Sequence, residues 1–431
     1  MNRPGQSLLS RLMFSRAPAR ETSSHTHHLA ATTLLNLLSQ LQSGYLRLTL
    51  PDGELKEFGD KSDSLHADIQ ILDWTVFRQV ASHGDIGFAE SYIRGQWNTH
   101  DLKKILELVI RNRTILEKAI YGSWFGSLFY RIKHWLRDNS KSGSRKNIHA
   151  HYDLGNAFYL LWLDPTMSYS SAWFSEGDQQ SLDAAQKAKL GKILQAINSK
   201  PGDRILEIGC GWGGFMEEAL QHDLQVTGLT LSTEQKIFAE NRLENIRPES
   251  SATKGFEVRL QDYRDCEEQF DGIASIEMFE AVGEKHWPEY FQTIAKRLKD
   301  GGKACIQTIV IAEELFERYR HSTDFIQQYV FPGGMLPSRA SFREAASRAG
   351  LEVEYEFAFG TDYAKTLCIW RDSFNQKLQE ISRLGFDETF IRLWNFYLMY
   401  CAAGFSEKNI DVVQFTLKHK TYVSPLHLAS A

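Results

Sequence analysis

The alternation of apolar and polar positions changes period along the chain, and each change marks an element. Tyr45-Leu-Arg-Leu-Thr-Leu50 and Glu54-Leu-Lys-Glu-Phe58 flank Pro51-Asp-Gly53, which predicts strand, turn and strand. From Trp74 to Arg113 the spacing becomes helical, as in Leu102, Ile105, Leu106, Leu108, Val109 and Ile110. Beyond about Asn147 short apolar runs alternate with helical stretches. The runs are Arg204-Ile-Leu-Glu-Ile208, Leu224-Gln-Val-Thr-Gly-Leu-Thr230, Phe256-Glu-Val-Arg-Leu260, Gly272-Ile-Ala-Ser-Ile276 and Lys303-Ala-Cys-Ile-Gln-Thr-Ile309. Strand and helix in alternation predict an α/β fold with a doubly wound parallel sheet, preceded by a smaller α+β module.

Three stretches lie outside these elements. Residues 1–30 carry Arg3, Arg11, Arg16 and Arg20 ahead of the first acidic residue, Glu21, a bias shared with transit peptides. Their polar, Ser/Pro/His-rich composition predicts a disordered tail. Residues 120–137 mix Trp124, Phe125, Phe129, Tyr130 and Trp135 with Arg131, Lys133 and Arg137. This pattern suits a helix lying on a membrane surface, and slightly better a helix packed on its neighbours through an aromatic stripe. Polar Asp138 to Lys146 reads as a linker. The expected organisation is therefore a tail over 1–30, a lipid- or membrane-associated module over 31–140 and a catalytic domain over 147–431.

Composition narrows the function classes. With 431 residues, 42% of them hydrophobic, the chain can bury a large core. A formal net charge of -5 argues against nucleic acid as a partner, which calls for a basic face. The five cysteines (Cys210, Cys266, Cys305, Cys368 and Cys401) are scattered and form no CxxC pair, so neither a disulfide framework nor a metal site is expected. No apolar run reaches the roughly 20 residues that span a bilayer. The expected location is cytoplasmic, with peripheral contact to the membrane.

Ile205-Leu-Glu-Ile-Gly-Cys-Gly-Trp-Gly-Gly214 puts glycines where a strand turns into a helix. Missing side chains let the backbone approach a ligand, and the helix start offers N–H groups. Glu207 ahead of Gly209, Cys210, Gly211 and Gly213 suits the amino and carboxylate ends of S-adenosylmethionine better than a pyrophosphate. The second strand ends in Thr230-Leu231-Ser232-Thr-Glu-Gln235, whose hydroxyl and amide groups can serve a ribose.

The chain also resembles the cyclopropane-fatty-acyl-phospholipid and mycolic acid cyclopropane synthases. The resemblance is carried by His151-Tyr-Asp-Leu-Gly-Asn156, Leu163-Asp-Pro-Thr-Met-Ser-Tyr-Ser-Ser-Ala-Trp173, the glycine motif with Trp212, and Thr230 to Gln235. It continues through Gln261-Asp-Tyr-Arg264, Met278-Phe-Glu-Ala-Val-Gly283, Phe331-Pro-Gly-Gly-Met-Leu-Pro337 and Phe359-Gly-Thr-Asp-Tyr363. These segments stand in the family's order over residues 63 to 420. The resemblance implies a class I methyltransferase that adds a one-carbon unit from S-adenosylmethionine to the double bond of an unsaturated fatty acyl chain. It places Tyr169 and Ser170 on the cofactor beside the two motifs above, with Gln261, Asp262 and Tyr263 near the adenine. Its implied partners are unsaturated phospholipid acyl chains at a membrane surface and a second copy of the chain in a homodimer.

In the resembled family a bicarbonate ion takes a proton from the new methyl group, inside a cage of Cys, Glu, His, Ile and Tyr. The matching positions are Ser171, Glu280, Gln307, Ile309 and Tyr363, so the Cys and the His are replaced. A further family cysteine matches Cys401, which also reads as a small buried apolar residue. Replacing His by Gln removes a cationic partner for an anion while keeping a donor. The resemblance thus implies bicarbonate as a second ligand, with its binding and the product left open: a cyclopropane, or a methyl- or methylene-branched chain. Two readings of other kinds are a methyltransferase of soluble acceptors, needing neither the N-terminal aromatics nor residues 151–173, and a catalytically silent lipid-binding protein.

Overall fold

The computed structural model describes residues 24–116, 154–177, 179–246 and 255–421, without the side chains of 24–28. The basic aromatic stretch 120–137, the linker and His151 to Asp153 lie outside the described residues. The chain divides into two compact units that do not follow chain order. The first gathers residues 1–165, 314–335 and 360–411, and the second 166–313, 336–359 and 412–431.

The first unit holds a four-stranded sheet of β1 (Tyr45–Thr49), β2 (Leu55–Gly59), β3 (His66–Ile71) and β4 (Trp97–Asn98), in the order β2-β1-β3-β4. The predicted hairpin is present: β1 and β2 pair antiparallel, while β1 and β3 run parallel. Period-two patterning turns Leu46, Leu48, Ile69 and Ile71 to the buried side. The predicted helical stretch forms as Thr75–Ile93 and Leu102–Arg111, and Asp101 caps the second by accepting from the Lys104 N–H. A helix over Ser24–Leu38 crosses residue 30, where the tail was expected to end. The helices Gly360–Gln376 and Glu388–Ser406 belong to this unit, so the stretch 147–431 is shared between both units. Their aromatic faces supply the reason: Phe158 packs against Phe386, Phe390 and Trp394, and Trp162 against Trp370.

The second unit is the doubly wound sheet. Its strands are β5 (Arg204–Ile208), β6 (Gln225–Thr230), β7 (Phe256–Leu260), β8 (Phe270–Ile276), β9 (Leu298–Ile311), β10 (Leu351–Ala358) and β11 (Ile410–His419). The order is β10-β11-β9-β8-β5-β6-β7. Strands β5 to β9 pair in parallel, whereas β10 and β11 form an antiparallel pair at one edge. The central β5 buries Ile205, Leu206 and Ile208, and the helix Leu182–Ile197 presents Leu190, Ile193 and Leu194 to the core that Ile205 joins. Order reverses about β5, and the carboxyl ends of strands at such a point form a crevice.

Candidate active site

The cofactor turn follows from residue sizes. Gly209, Gly211 and Gly213 all have positive φ (84°, 51° and 83°), a region that side chains disfavour. They differ in what a side chain would meet. A Cβ at Gly213 would lie 3.1 Å from the Ala239 Cβ, and one at Gly209 would lie 3.0 Å from the Met278 side chain. At Gly211 nothing lies within 4 Å, so space opens there beside the backbone. Cys210 is buried, and its thiol is held protonated by burial and by the nearby Glu207.

Glu207 on β5 is 3% exposed, and its Oε2 has no hydrogen-bond partner among the described residues. Burial pushes its carboxyl up to about 8, against a smaller opposing pull from Lys189. Lys189, itself buried, donates to the Ser170 Oγ at 2.7 Å, and the Gln186 Nε2 donates to the Ser170 carbonyl at 2.9 Å. The helix Leu182–Ile197 thereby fixes the Tyr169-Ser170 segment. At the end of β6 the Thr230 hydroxyl donates to the Gln235 Oε1, the Ser232 N–H donates to the Thr230 Oγ1, and the Gln235 N–H reaches the Ser232 Oγ. Leu231 lies half-buried between them. The Gln261 N–H donates to the Thr230 carbonyl, which joins the ends of β6 and β7. The Asp262 carboxylate is held bidentately by Arg264, so its charge is answered within its own turn. Tyr263 packs edge-on against Tyr290.

A second group forms beyond β8. Glu280 stands in a short turn of helix, and its Oε1 accepts the Ile309 N–H from β9 at 2.5 Å. Its Oε2 is shielded and has no partner among the described residues. Burial, reinforced by the charge of Glu277, raises its carboxyl well above the usual range. Ser171 and Gln307, both fully buried, meet on one atom: the Ser171 backbone N–H (2.9 Å) and the Gln307 Nε2 (2.8 Å) donate to the Glu277 Oε1. The Ser171 hydroxyl turns away to the Ala172 carbonyl. Ser171, Glu280, Gln307 and Ile309 thus lie in the second unit.

The sequence reading missed Glu277. Its signal was two acidic residues three apart just past an apolar strand, in Ile276-Glu-Met-Phe-Glu280. Gln186, Lys189 and Gln414 were missed too, because polar residues on otherwise core-facing elements leave no motif.

Tyr363 and Cys401 belong to the first unit. Tyr363 is buried on the helix Gly360–Gln376 and stacks on Phe405 at 4.4 Å. Burial first, and then the charge of Asp324, push the Cys401 thiol well up, so it lacks the thiolate that nucleophilic chemistry needs. Near it, Tyr400 donates to the Asp85 carboxylate at 3.1 Å, and burial lifts Asp85 to about 7 and Asp324 to about 6. Among the described residues no cluster with metal-ligating composition forms, and no helix is long and apolar enough to cross a membrane.

The model of the mycolic acid cyclopropane synthetase family matches residues 139–415. The chain belongs to that family. It is 36% identical to the tuberculostearic acid methyltransferase UfaA1 of Mycobacterium tuberculosis, over 79% of this chain and 80% of that protein. It is 35% identical to the cyclopropane-fatty-acyl-phospholipid synthase of Escherichia coli, over 81% of this chain and 87% of that protein. Among solved structures, the mycolic acid cyclopropane synthase CmaA1 complexed with SAH and CTAB aligns at 33% identity and a TM-score of 0.58, covering 64% of this chain and 98% of that one. The fold is that of the class I methyltransferases, and the chain is an S-adenosylmethionine-dependent methyltransferase of the cyclopropane synthase type, acting on fatty acyl chains. Its residues fit the cofactor. The open space at Gly211 admits a ligand against the backbone, and the unanswered buried Oε2 of Glu207 suits a cationic amino group.

Proposed function

We propose that the enzyme adds a methylene carbon to the double bond of an unsaturated fatty acyl chain carried on a phospholipid, giving a cyclopropane fatty acyl chain. The carrying observation is the shielded Glu280 carboxylate bound to the Ile309 N–H, an acid held in a dry place beside the cofactor turn's sheet end. The likeness to the Escherichia coli phospholipid enzyme favours a phospholipid acceptor. S-adenosylmethionine supplies, when bound, the sulfonium methyl that becomes the added carbon.

The chain's own residues do the rest. Glu207, the turn Gly209 to Gly213 and the Thr230 to Gln235 set would hold the cofactor, with Tyr169 and Ser170 positioned by Lys189. An alkene is a weak nucleophile and must be held at near-contact distance. Its attack leaves a cation on the acyl chain, which a dry carboxylate environment stabilises. For Tyr363 a place among the catalytic residues rests on its match to the family, and Cys401, raised by burial, reads as a packing residue. Work on a bilayer calls for contact with the membrane surface, so a cytoplasmic, peripheral enzyme goes with this reading, and the family resemblance adds a homodimer.

One observation favours a second product. Gln307 and Ser171 both donate to Glu277, so the donors expected for bicarbonate already serve a carboxylate of the chain. The likeness to a protein named tuberculostearic acid methyltransferase points the same way, to a methyl- or methylene-branched chain. The test is incubation of the purified protein with S-adenosylmethionine and vesicles of an unsaturated phospholipid, followed by mass spectrometry of the acyl chains. A gain of one CH2 supports the reading, and fragmentation separates ring from branch. Activity on a soluble acceptor alone would overturn it.

A further inference from the structure

We propose that Glu277 is the base that takes the proton from the newly added carbon, doing from within the chain what a bound anion would otherwise do. This deepens the acyl-chain reading above and rests on it.

The geometry around Glu277 carries the proposal. Its Oε1 accepts two N–H groups, from the Ser171 backbone at 2.9 Å and from the Gln307 Nε2 at 2.8 Å. The orientation of the Gln307 amide is dictated by its neighbour. The Gln414 Nε2 donates to both the Lys189 carbonyl (3.4 Å) and the Gln307 Oε1 (3.1 Å), leaving the Gln307 NH2 to face Glu277. The backbone at Glu277 has φ 50°, a left-handed conformation that a non-glycine residue adopts only under strain. The fold holds it there, with the Glu277 N–H continuing the β8–β9 pairing onto the Gln307 carbonyl. Strain of this kind, spent on placing one half-buried carboxylate beside another whose Oε2 is shielded, is poorly explained by stability alone.

Glu277 and Glu280 also divide the labour that two neighbouring carboxyls must divide. Both cannot ionise at low cost in a shielded place. The Glu280 Oε1 receives the Ile309 N–H and its Oε2 has no hydrogen-bond partner among the described residues, whereas the Glu277 Oε1 receives two donors. Donors favour the ionised form, which suits Glu277 to be the charged partner of the pair. An ionised carboxylate is the state a base needs.

Once the acyl chain carries the added methyl beside a cationic carbon, one C–H bond must break. Its proton goes to the Glu277 carboxylate. Its electron pair closes the new C–C bond of a ring or, where a 1,2-hydride shift has first moved the cation onto the methyl-bearing carbon, forms the C=C of a methylene branch, and no outside oxidant or reductant takes part.

The experiment uses the full chain with S-adenosylmethionine and vesicles of a monounsaturated phosphatidylglycerol, in carbonate-depleted buffer and again with bicarbonate or formate added. The wild type should turn over equally, within about twofold, in all three. Glu277→Gln should lose about 100-fold or more in turnover, the scale of a lost general base, while cofactor affinity by calorimetry stays within about threefold. Glu277→Gly suits the positive φ and leaves the two donors facing the vacated space. It should be as slow without added anion and recover about tenfold or more with formate or bicarbonate. A structural residue would show no such rescue, so loss without rescue overturns the proposal. So does a wild type that needs bicarbonate, or a Glu277→Gln variant that keeps its rate. A wild type that binds cofactor yet adds no carbon in any buffer removes the acyl-chain reading beneath it.

Discussion

Gly211 and Glu280 show how single positions set the chemistry. A Cβ at Gly211 meets nothing within 4 Å, yet φ is 51°, so a β-branched side chain there both strains the turn and fills the space left open for a ligand. Gly211→Val should therefore cost the cofactor about 100-fold or more in affinity, with folding retained, and calorimetry with a circular-dichroism check decides it. Unchanged affinity would show that the turn does not face the cofactor. For Glu280, the Gln variant keeps the bond to the Ile309 N–H and removes the titrating group. Turnover should fall about tenfold, less than in Glu277→Gln, while cofactor affinity holds, because Gln keeps the neutral shape and loses only the acid's proton. Equal loss of both would make Glu280 a structural carboxylate. At this scale the sequence was legible wherever glycine spacing or the family's motifs carried the signal. Glu277 was not, because its surroundings arise from β9 lying beside the end of β8 and from the segment at Ser171 folding back, which bring Gln307 and Ser171 to one oxygen.

Strands β5, β6, β7 and β8 emerge from the sequence within two residues of their true bounds, since each is a short run between turn signals, whereas β9 begins at Leu298, five residues before the apolar run that marked it. The edge pair β10 and β11 escaped notice. Leu-Glu-Val-Glu-Tyr-Glu-Phe-Ala alternates with acidic residues, and much of β10 is exposed, so it lacks the apolar run that identified the others. Packing between elements also fixes residue size in β6. A Cβ at Gly228 would stand 2.4 Å from the Met216 Sδ and 2.9 Å from the Cys210 Cβ, where the helix Gly214–Gln221 crosses the sheet. Gly228→Ala should destabilise the protein by about 1–3 kcal/mol through overpacking, read from denaturant unfolding. A neutral result would mean that this helix can shift without cost.

Across the whole molecule, several buried carboxyls share one sign of shift. Glu207 lies at about 8, Asp85 at about 7 and Asp324 at about 6, all raised by burial from ordinary values of 4.5 or 3.8. Between the ordinary and the raised values the unfolded chain has released protons that the folded chain still holds. Stability is therefore highest below that window and falls as pH rises through it. The lowered carboxyls, such as Glu268 at about 2, have delivered their stabilisation before the window opens. Thermal unfolding should show a lower midpoint near pH 8 than near pH 5.5, with a flatter profile in Glu207→Gln. A midpoint that rises over this range would contradict the burial of these groups. The division into two units was the least legible feature at this scale. The aromatic helices after residue 360 pack by side-chain complementarity with residues far earlier in the chain, which no local period reveals.

The central claim is one-carbon addition to an unsaturated acyl chain followed by loss of a proton from the carbon just added. The most direct measurement supplies S-adenosylmethionine with a fully deuterated methyl group and weighs the acyl chains of unsaturated phospholipid vesicles after reaction with the purified enzyme. The account predicts products that keep all but one of the label's deuterium atoms. Acyl chains free of deuterium, from an enzyme that still binds its cofactor, would contradict it.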